Sequence, residues 1–272
     1  MIFRKVPPCP ALQSFVRYYL LVNLYGDFNH LTPYPARAEQ ALVFFARGYI
    51  QAYDPLTQTA SKIAATALFG QQVSRLDFQV FAQTEYLMLM IVFQPGAMYR
   101  FLGFSSQELT REFCDAESVI SSELQSVNDQ IANARDYAQM IHRAETYLLG
   151  KLSRLKIDLH PIDRIGQLLL HNPSPFSLDW LAGQANLSPR QFERKFTDRI
   201  GIGPKLYSRI SRFFLTLDYK ERHPNVDWLT IALHFGYTDY YHLVKDFKQF
   251  AHVRPNLMLH EYSQRPEIIV NL

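Results

Sequence analysis

Seven basic side chains fall within residues 188–212: Arg190, Arg194, Lys195, Arg199, Lys205, Arg209 and Arg212, against only Glu193 and Asp198. Such a cluster suits phosphate neutralisation, and arginine adds bidentate donation to guanine O6 and N7. A weaker group follows, with Lys245 and Lys248 opposed by Asp239 and Asp246. The 272-residue chain carries a formal charge of only +3. All of it resides in residues 156–272, which hold 15 Lys/Arg and 12 Asp/Glu, whereas residues 1–155 hold 13 of each. Seven of the nine histidines lie in the second part as well. That asymmetry points to a nucleic-acid partner for the C-terminal part.

Other chemistries find little support. No nucleophile elbow, glycine-rich phosphate loop or HExxH pattern occurs, so no enzyme activity is expected. A metal-binding barrel needs at least two clustered histidines with a carboxylate, and His30 is the only histidine before His142. No metal or other cofactor is therefore expected. Cys9 and Cys114 stand alone, without metal-ligand or CxxC spacing, and read as reduced thiols of a cytoplasmic protein. The start of the chain carries Pro7, Pro8 and Pro10 in place of an apolar leader, and the longest apolar run, residues 86–93, is about half of what a bilayer needs. No membrane partner is expected. With 48% apolar and 14% aromatic residues the chain reads as globular, and its length predicts about two domains.

Elements must hold these side chains in place. The first hundred residues read as strands. Leu76-Asp-Phe-Gln-Val80 alternates apolar and polar, while residues 86–93 are apolar on both faces and suit a central strand. Residues 17–25 and 41–47 read similarly, which suggests a barrel or sandwich. Ser105-Ser-Gln-Glu108 carries a capping-box pattern opening a helix, and residues 121–155 predict one or two amphipathic helices from Ile131, Tyr137, Met140, Ile141, Tyr147 and Leu148. The domain linker is expected within residues 151–161.

The strongest signal is an internal repeat. Ser177 caps a helix with Leu178, Leu181 and Ala182 on one face, a polar break follows at residues 186–188, and Pro189 opens a second helix burying Phe192 and Phe196. The layout returns about fifty residues later, with Asp227-Trp228 set against Asp179-Trp180, Ala232 against Ala182, and Leu243 and Phe247 against Phe192 and Phe196. The offset is 50 before the turn and 51 after it, and Pro204 and Pro255 close the copies. Residues 204–220 read as a connecting helix, with Tyr207, Ile210, Phe213, Phe214 and Leu217 at helical spacing. Trp180 and Trp228 are expected in the core. Two helix-turn-helix units on one chain could read successive major grooves, whose openings recur every ~34 Å.

These residues resemble the AraC/XylS family of bacterial transcription regulators. The first unit carries Leu187-Ser-Pro-Arg-Gln-Phe-Glu-Arg-Lys-Phe196 followed by Gly201-Ile-Gly-Pro204. The second carries Gly236-Tyr-Thr-Asp239, His242-Leu-Val-Lys-Asp-Phe-Lys248 and Arg254-Pro255. Two departures stand out: Ala251-His-Val replaces the usual glycine after the second recognition helix, and Lys245 replaces the usual arginine within it. The N-terminal part is similar to the family's effector domains through Pro10-x-Leu12, Gly70-Gln71 and Phe93-Gln-Pro-Gly-Ala97.

The resemblance implies an α+β protein: a cupin-like β-barrel with flanking helices over residues 1–155, then an all-α tandem helix-turn-helix domain over residues 156–272. It implies sequence-specific binding of double-stranded DNA. The base-facing candidates are Arg190, Glu193 and Arg194, then Tyr240, Tyr241, His242 and Lys245; the phosphate candidates are Lys195, Lys205, Arg209, Arg212 and Lys248. Glu193 would accept from a cytosine amino group, and a tyrosine ring would pack on a thymine methyl. Further partners implied are a small-molecule effector, a second copy joined through the N-terminal domain, and RNA polymerase for an activator. Tyr18, Tyr19, Phe44, Phe45, Phe78 and Tyr86 are available to line an effector pocket. The competing reading is a ligand-binding or enzymatic barrel whose C-terminal repeat has become a protein-interaction module.

Overall fold

The computed structural model describes residues 2–26, 31–153, 155, 160–172 and 176–263. The apolar and alternating runs of the N-terminal part form antiparallel strands: β1 (Ile2–Val6), β2 (Val16–Tyr25), β3 (Leu31–Tyr34), β4 (Ala41–Arg47), β5 (Tyr49–Asp54), β6 (Thr59–Lys62), β7 (Thr66–Phe69), β8 (Leu76–Phe81), β9 (Glu85–Phe93) and β10 (Phe113–Asp115). They build two sheets, ordered β1-β2-β9-β4-β7-β10 and β3-β8-β5-β6. Strand β9 is central, paired with both β2 and β4, as its apolar composition requires.

Both faces of β9 are covered, which explains why it does not alternate. Tyr86, Met90 and Val92 point between the sheets, where they meet Leu20, Val43 and Ile50. Leu89, Ile91 and Phe93 point the other way, onto a core completed by helices. Those helices are α1 (Ala97–Leu102), α2 (Ala116–Val119), α3 (Glu123–Ala132) and α4 (Tyr137–Leu152). Ile131, Met140 and Leu148 are buried, as their spacing predicts, and Tyr137, Ile141 and Tyr147 are half-buried against the same core. Ser105 starts no α-helix. Its hydroxyl accepts from the Gln107 N–H at 3.3 Å, and one 3-10 turn, Ser106–Leu109, follows before the chain enters β10.

The C-terminal part comprises α5 (Pro161–His171), α6 (Leu178–Gln184), α7 (Pro189–Ile200), α8 (Pro204–Arg222), α9 (Trp228–His234), α10 (Tyr240–Phe250) and α11 (Pro255–Ser263). Each repeat helix is capped by a side-chain oxygen at its N-terminus. Ser177 accepts from Trp180 N–H at 3.1 Å and Asp227 from Leu229 and Thr230 at 3.0 Å. Asp239 accepts from His242 N–H at 2.7 Å. Ser188 and Gln191 form a reciprocal capping box on α7. Phe192, Phe196, Leu243 and Phe247 are fully buried.

The caps correct the alignment of the repeat. Ser177 and Asp227 are equivalent, so Leu178 matches Trp228 and Trp180 matches Thr230. The Asp-Trp pairs therefore do not correspond. Trp180 is 44% exposed, stacked on Phe176 at 5.1 Å, and is not a core residue. Trp228 is half-buried, edge-on to Phe247 at 5.3 Å. Pro204 and Pro255 do not close their units; each occupies the first turn of the next helix, α8 or α11.

The two parts are docked. Ala36, Ala38 and Val73 of the barrel join the core of α5–α11, and Ala36 N–H donates to Phe250 O at 2.9 Å. Thr110 donates to Gly201 O at 2.7 Å, and Arg75 reaches both the Ala251 carbonyl and Glu261. Asp163 on α5 takes a bidentate pair from Arg199 at 2.7 and 2.8 Å and lies 3.3 Å from Arg100. Gly96, with φ of 76°, permits this approach, because a Cβ there would stand 2.1 Å from the Asp163 carboxylate.

Candidate nucleic-acid interface and barrel cavity

On α7 the burial of Phe192 and Phe196 turns Arg190, Glu193 and Arg194 to the outside, where all three are exposed. Gln191 is also exposed, but its amide oxygen accepts from the Ser188 N–H at 3.2 Å, within the cap. On α10 the equivalent places fall to Tyr241 and Lys245. Tyr241 is 77% exposed, an unusual position for a large ring, and Lys245 is exposed too. The four side chains Arg190, Arg194, Tyr241 and Lys245 thus occupy matching outward positions on the second helix of each unit.

The remaining candidates divide. Lys205 and Lys248 are exposed and Lys195 is half-buried. Tyr240 is half-buried, its ring 6.3 Å from that of Tyr241. His242 is half-buried, with Nδ1 3.3 Å from the Thr238 hydroxyl and Nε2 3.3 Å from an Arg212 nitrogen.

Arg209 and Arg212 turn inward. Arg209 Nη2 donates to Asp246 at 2.6 Å and to Gln249 at 2.7 Å. Arg212 donates to the other Asp246 oxygen at 3.1 Å and packs over the Tyr237 ring at 3.9 Å. Arg212 is 7% exposed and Asp246 fully buried, so Arg212 leaves the phosphate set: its guanidinium is committed to fixing α10 on α8. Charge counting sets Asp246 against Lys245 and Lys248, whereas the structure pairs it with Arg209 and Arg212. The signal was present, because Asp246 stands on the same helical face as Leu243, Phe247 and Phe250, where an acid requires a buried partner.

The interior between the sheets is not filled. A cavity of about 120 Å³ lies there. Tyr18, Phe78 and Tyr86 line it, as the aromatic composition suggests. Tyr19 and Phe44 instead face the helix-covered side and Phe45 joins the packed interior. Phe214, Leu217, Asp218 and Glu221 of α8 close the cavity against the barrel. At this end Glu39 accepts from the Tyr18 hydroxyl at 2.7 Å and from Arg17 at 3.3 Å. Burial pushes the Glu39 carboxyl up, but Arg17, Arg37 and the Tyr18 hydroxyl outweigh it and hold it below its ordinary value. Burial raises the Tyr34 phenol to about 12. Among the described residues no group of three or more His, Cys, Asp or Glu is placed to hold a metal ion, and no helix is long and apolar enough to cross a membrane.

Geometry of this kind, a two-sheet barrel followed by two helix-turn-helix units around a connecting helix, defines an α+β fold. That fold is shared with ToxT from Vibrio cholerae, at 13% sequence identity and a TM-score of 0.50, covering 91% of this chain and 98% of that one. It is shared equally with ToxT from Vibrio cholerae O395 bound to (E)-4-(8-methylnaphthalen-1-yl)but-3-enoic acid, at 12% identity and a TM-score of 0.50, covering 89% and 98% of the two chains. The DNA-binding domain of AdpA, a global transcriptional factor solved with a target DNA, matches 39% of this chain and 97% of its own at 22% identity and a TM-score of 0.36. In sequence, residues 4–115 match a domain of unknown function, DUF6597. No curated protein matches.

Proposed function

We propose that the chain is a DNA-binding transcription regulator of the AraC/XylS type, divided into an effector domain over residues 1–155 and a DNA-binding domain over residues 156–272. The observation that carries this reading is the matched pair of capped helices α7 and α10, each presenting its non-core face outward at equivalent positions. Arg190, Glu193 and Arg194 read bases from one helix; Tyr241 and Lys245 read them from the other, with Tyr240 and His242 at its margin. Lys195, Lys205 and Lys248 contact phosphates, and Arg209 does so only with the part of its guanidinium not engaged by Asp246. The connecting helix α8 spaces the two helices for successive major grooves.

The cavity serves a small-molecule effector. ToxT of the same fold has been solved with a small organic acid bound, and here the cavity wall includes α8 itself. A ligand filling it touches the element that sets the spacing of the two reading helices. Dimerisation through residues 1–155, contact with RNA polymerase during activation, the absence of catalysis and a cytoplasmic location belong to the same proposal.

Selection of the full chain on a randomised duplex library, at two salt concentrations, tests it. Enrichment of a site with two blocks about one helical turn apart is expected. Salt-sensitive binding without enrichment would leave a non-specific binder, and no binding would overturn the reading.

A further inference from the structure

The charged residues of the cavity gather where α8 closes it, and three of the four are acids: Glu39, Asp218 and Glu221, beside Arg37. Most are already matched. Glu39 is held by Tyr18 and Arg17, and Asp218 pairs with Arg222. Arg37 lies 4.9 Å from the rings of both Tyr34 and Phe214 and 3.9 Å from Glu39. Lys5 sits over the Tyr18 ring at 4.6 Å, in the neighbouring groove. Glu221 has no hydrogen-bonded or ion-paired partner among the described residues, and burial pushes its carboxyl up to about 7, with Arg37 acting against that rise. Arg37 is already engaged by Glu39 and by the Tyr34 and Phe214 rings, so a desolvated carboxylate at Glu221 still calls for a cation of its own.

We propose that the cavity binds a small organic amine, its ring or short apolar chain among Phe78, Tyr86 and Met90 and its ammonium at Glu221. The proposal takes from the preceding section that the cavity is an effector site and adds the class of ligand. Size follows from the volume of about 120 Å³, close to the ~150 Å³ in which an apolar protein cavity holds benzene. An arylalkanoic acid of the kind ToxT holds would instead place its carboxylate beside Glu221 and Asp218.

Three probes of one shape test this with the full chain by calorimetry at mildly alkaline pH: 2-phenylethylamine, 2-phenylethanol and 3-phenylpropionate. The amine is expected to bind at least about tenfold tighter than either of the others, which corresponds to ~1.4 kcal/mol. Glu221→Gln should abolish that advantage and leave the alcohol unchanged, while Glu221→Asp, which keeps the charge, should retain it. Tightest binding by the propionate, an amine affinity indifferent to Glu221→Gln, or no binding of any probe at millimolar concentration would overturn the inference. DNA-site selection on the same preparation separates the two readings. Amine binding without a DNA site sustains the ligand assignment and fells the regulator; a DNA site without amine binding does the reverse.

Discussion

The arginines of one sequence cluster serve opposite ends. Arg190 and Arg194 are exposed on the outward face of α7, whereas Arg199 and Arg212 are buried against Asp163 and Asp246. Exposure decides which can reach a base edge. Arg194→Ala should weaken specific binding by about 1–3 kcal/mol and relax preference at one base position, measured by titration on the selected site and its single-base variants. An equal loss on random duplex would make Arg194 a phosphate contact instead. Lys205→Ala should lower affinity on all duplexes alike and reduce the salt slope by about 1; an unchanged slope would remove Lys205 from the interface. Asp246 is different in kind. Asp246→Ala leaves Arg212 buried without its acid and should cost about 3–5 kcal/mol in denaturant unfolding, because an uncompensated buried charge remains. A loss below ~1 kcal/mol would show that the pair does not fix α10.

At the scale of elements, what could be read from the sequence was local and periodic. Strand β4 and helix α10 run over the residues their patterns predict, since an apolar run and helical spacing each lie within a few residues. The repeat was legible too, yet its register was not, because the shared Asp-Trp dipeptide outweighed the caps. Ser177 and Asp227 share a cap geometry but no residue type, and only the backbone makes them equivalent. His252 makes the same point. Its φ of 60° matches the 100° of Gly201 at the corresponding place, so the fold keeps a left-handed residue after α10 although the glycine is gone. Helix α5 was missed because its role is tertiary. Apolar Ile162, Ile165 and Leu169 face the C-terminal core while Asp163 between them faces Arg100 and Arg199, partners that only the tertiary fold brings near. The site divided the same way: outward positions of α7 and α10 followed from core spacing, whereas the inward turn of Arg212 needed Asp246 in place.

For the molecule as a whole, the connecting helix α8 is the shared part. One side of it pins α10 through Arg209 and Arg212, and the side bearing Phe214, Leu217 and Glu221 walls the barrel cavity. Glu221 gives this contact a dependence on pH. Its folded value, near 7 through burial, exceeds that of an unfolded glutamate, so its stabilising contribution is complete below the unfolded value and disappears as pH rises through the folded one. Glu221→Gln, neutral throughout, should therefore melt level with the parent near pH ~4.5 and a few degrees above it near pH ~8.5. A difference that does not grow with pH would show that the carboxyl is solvated. The central claim is that α7 and α10 of one chain read DNA together at a spacing set by α8. It is tested most directly by inserting about five base pairs, half a helical turn, between the two blocks of the selected site. The account predicts that specific binding falls to the level of random duplex and returns when the insertion is extended to a full turn only if a second chain supplies the other unit; undiminished binding with the half-turn insertion would contradict it.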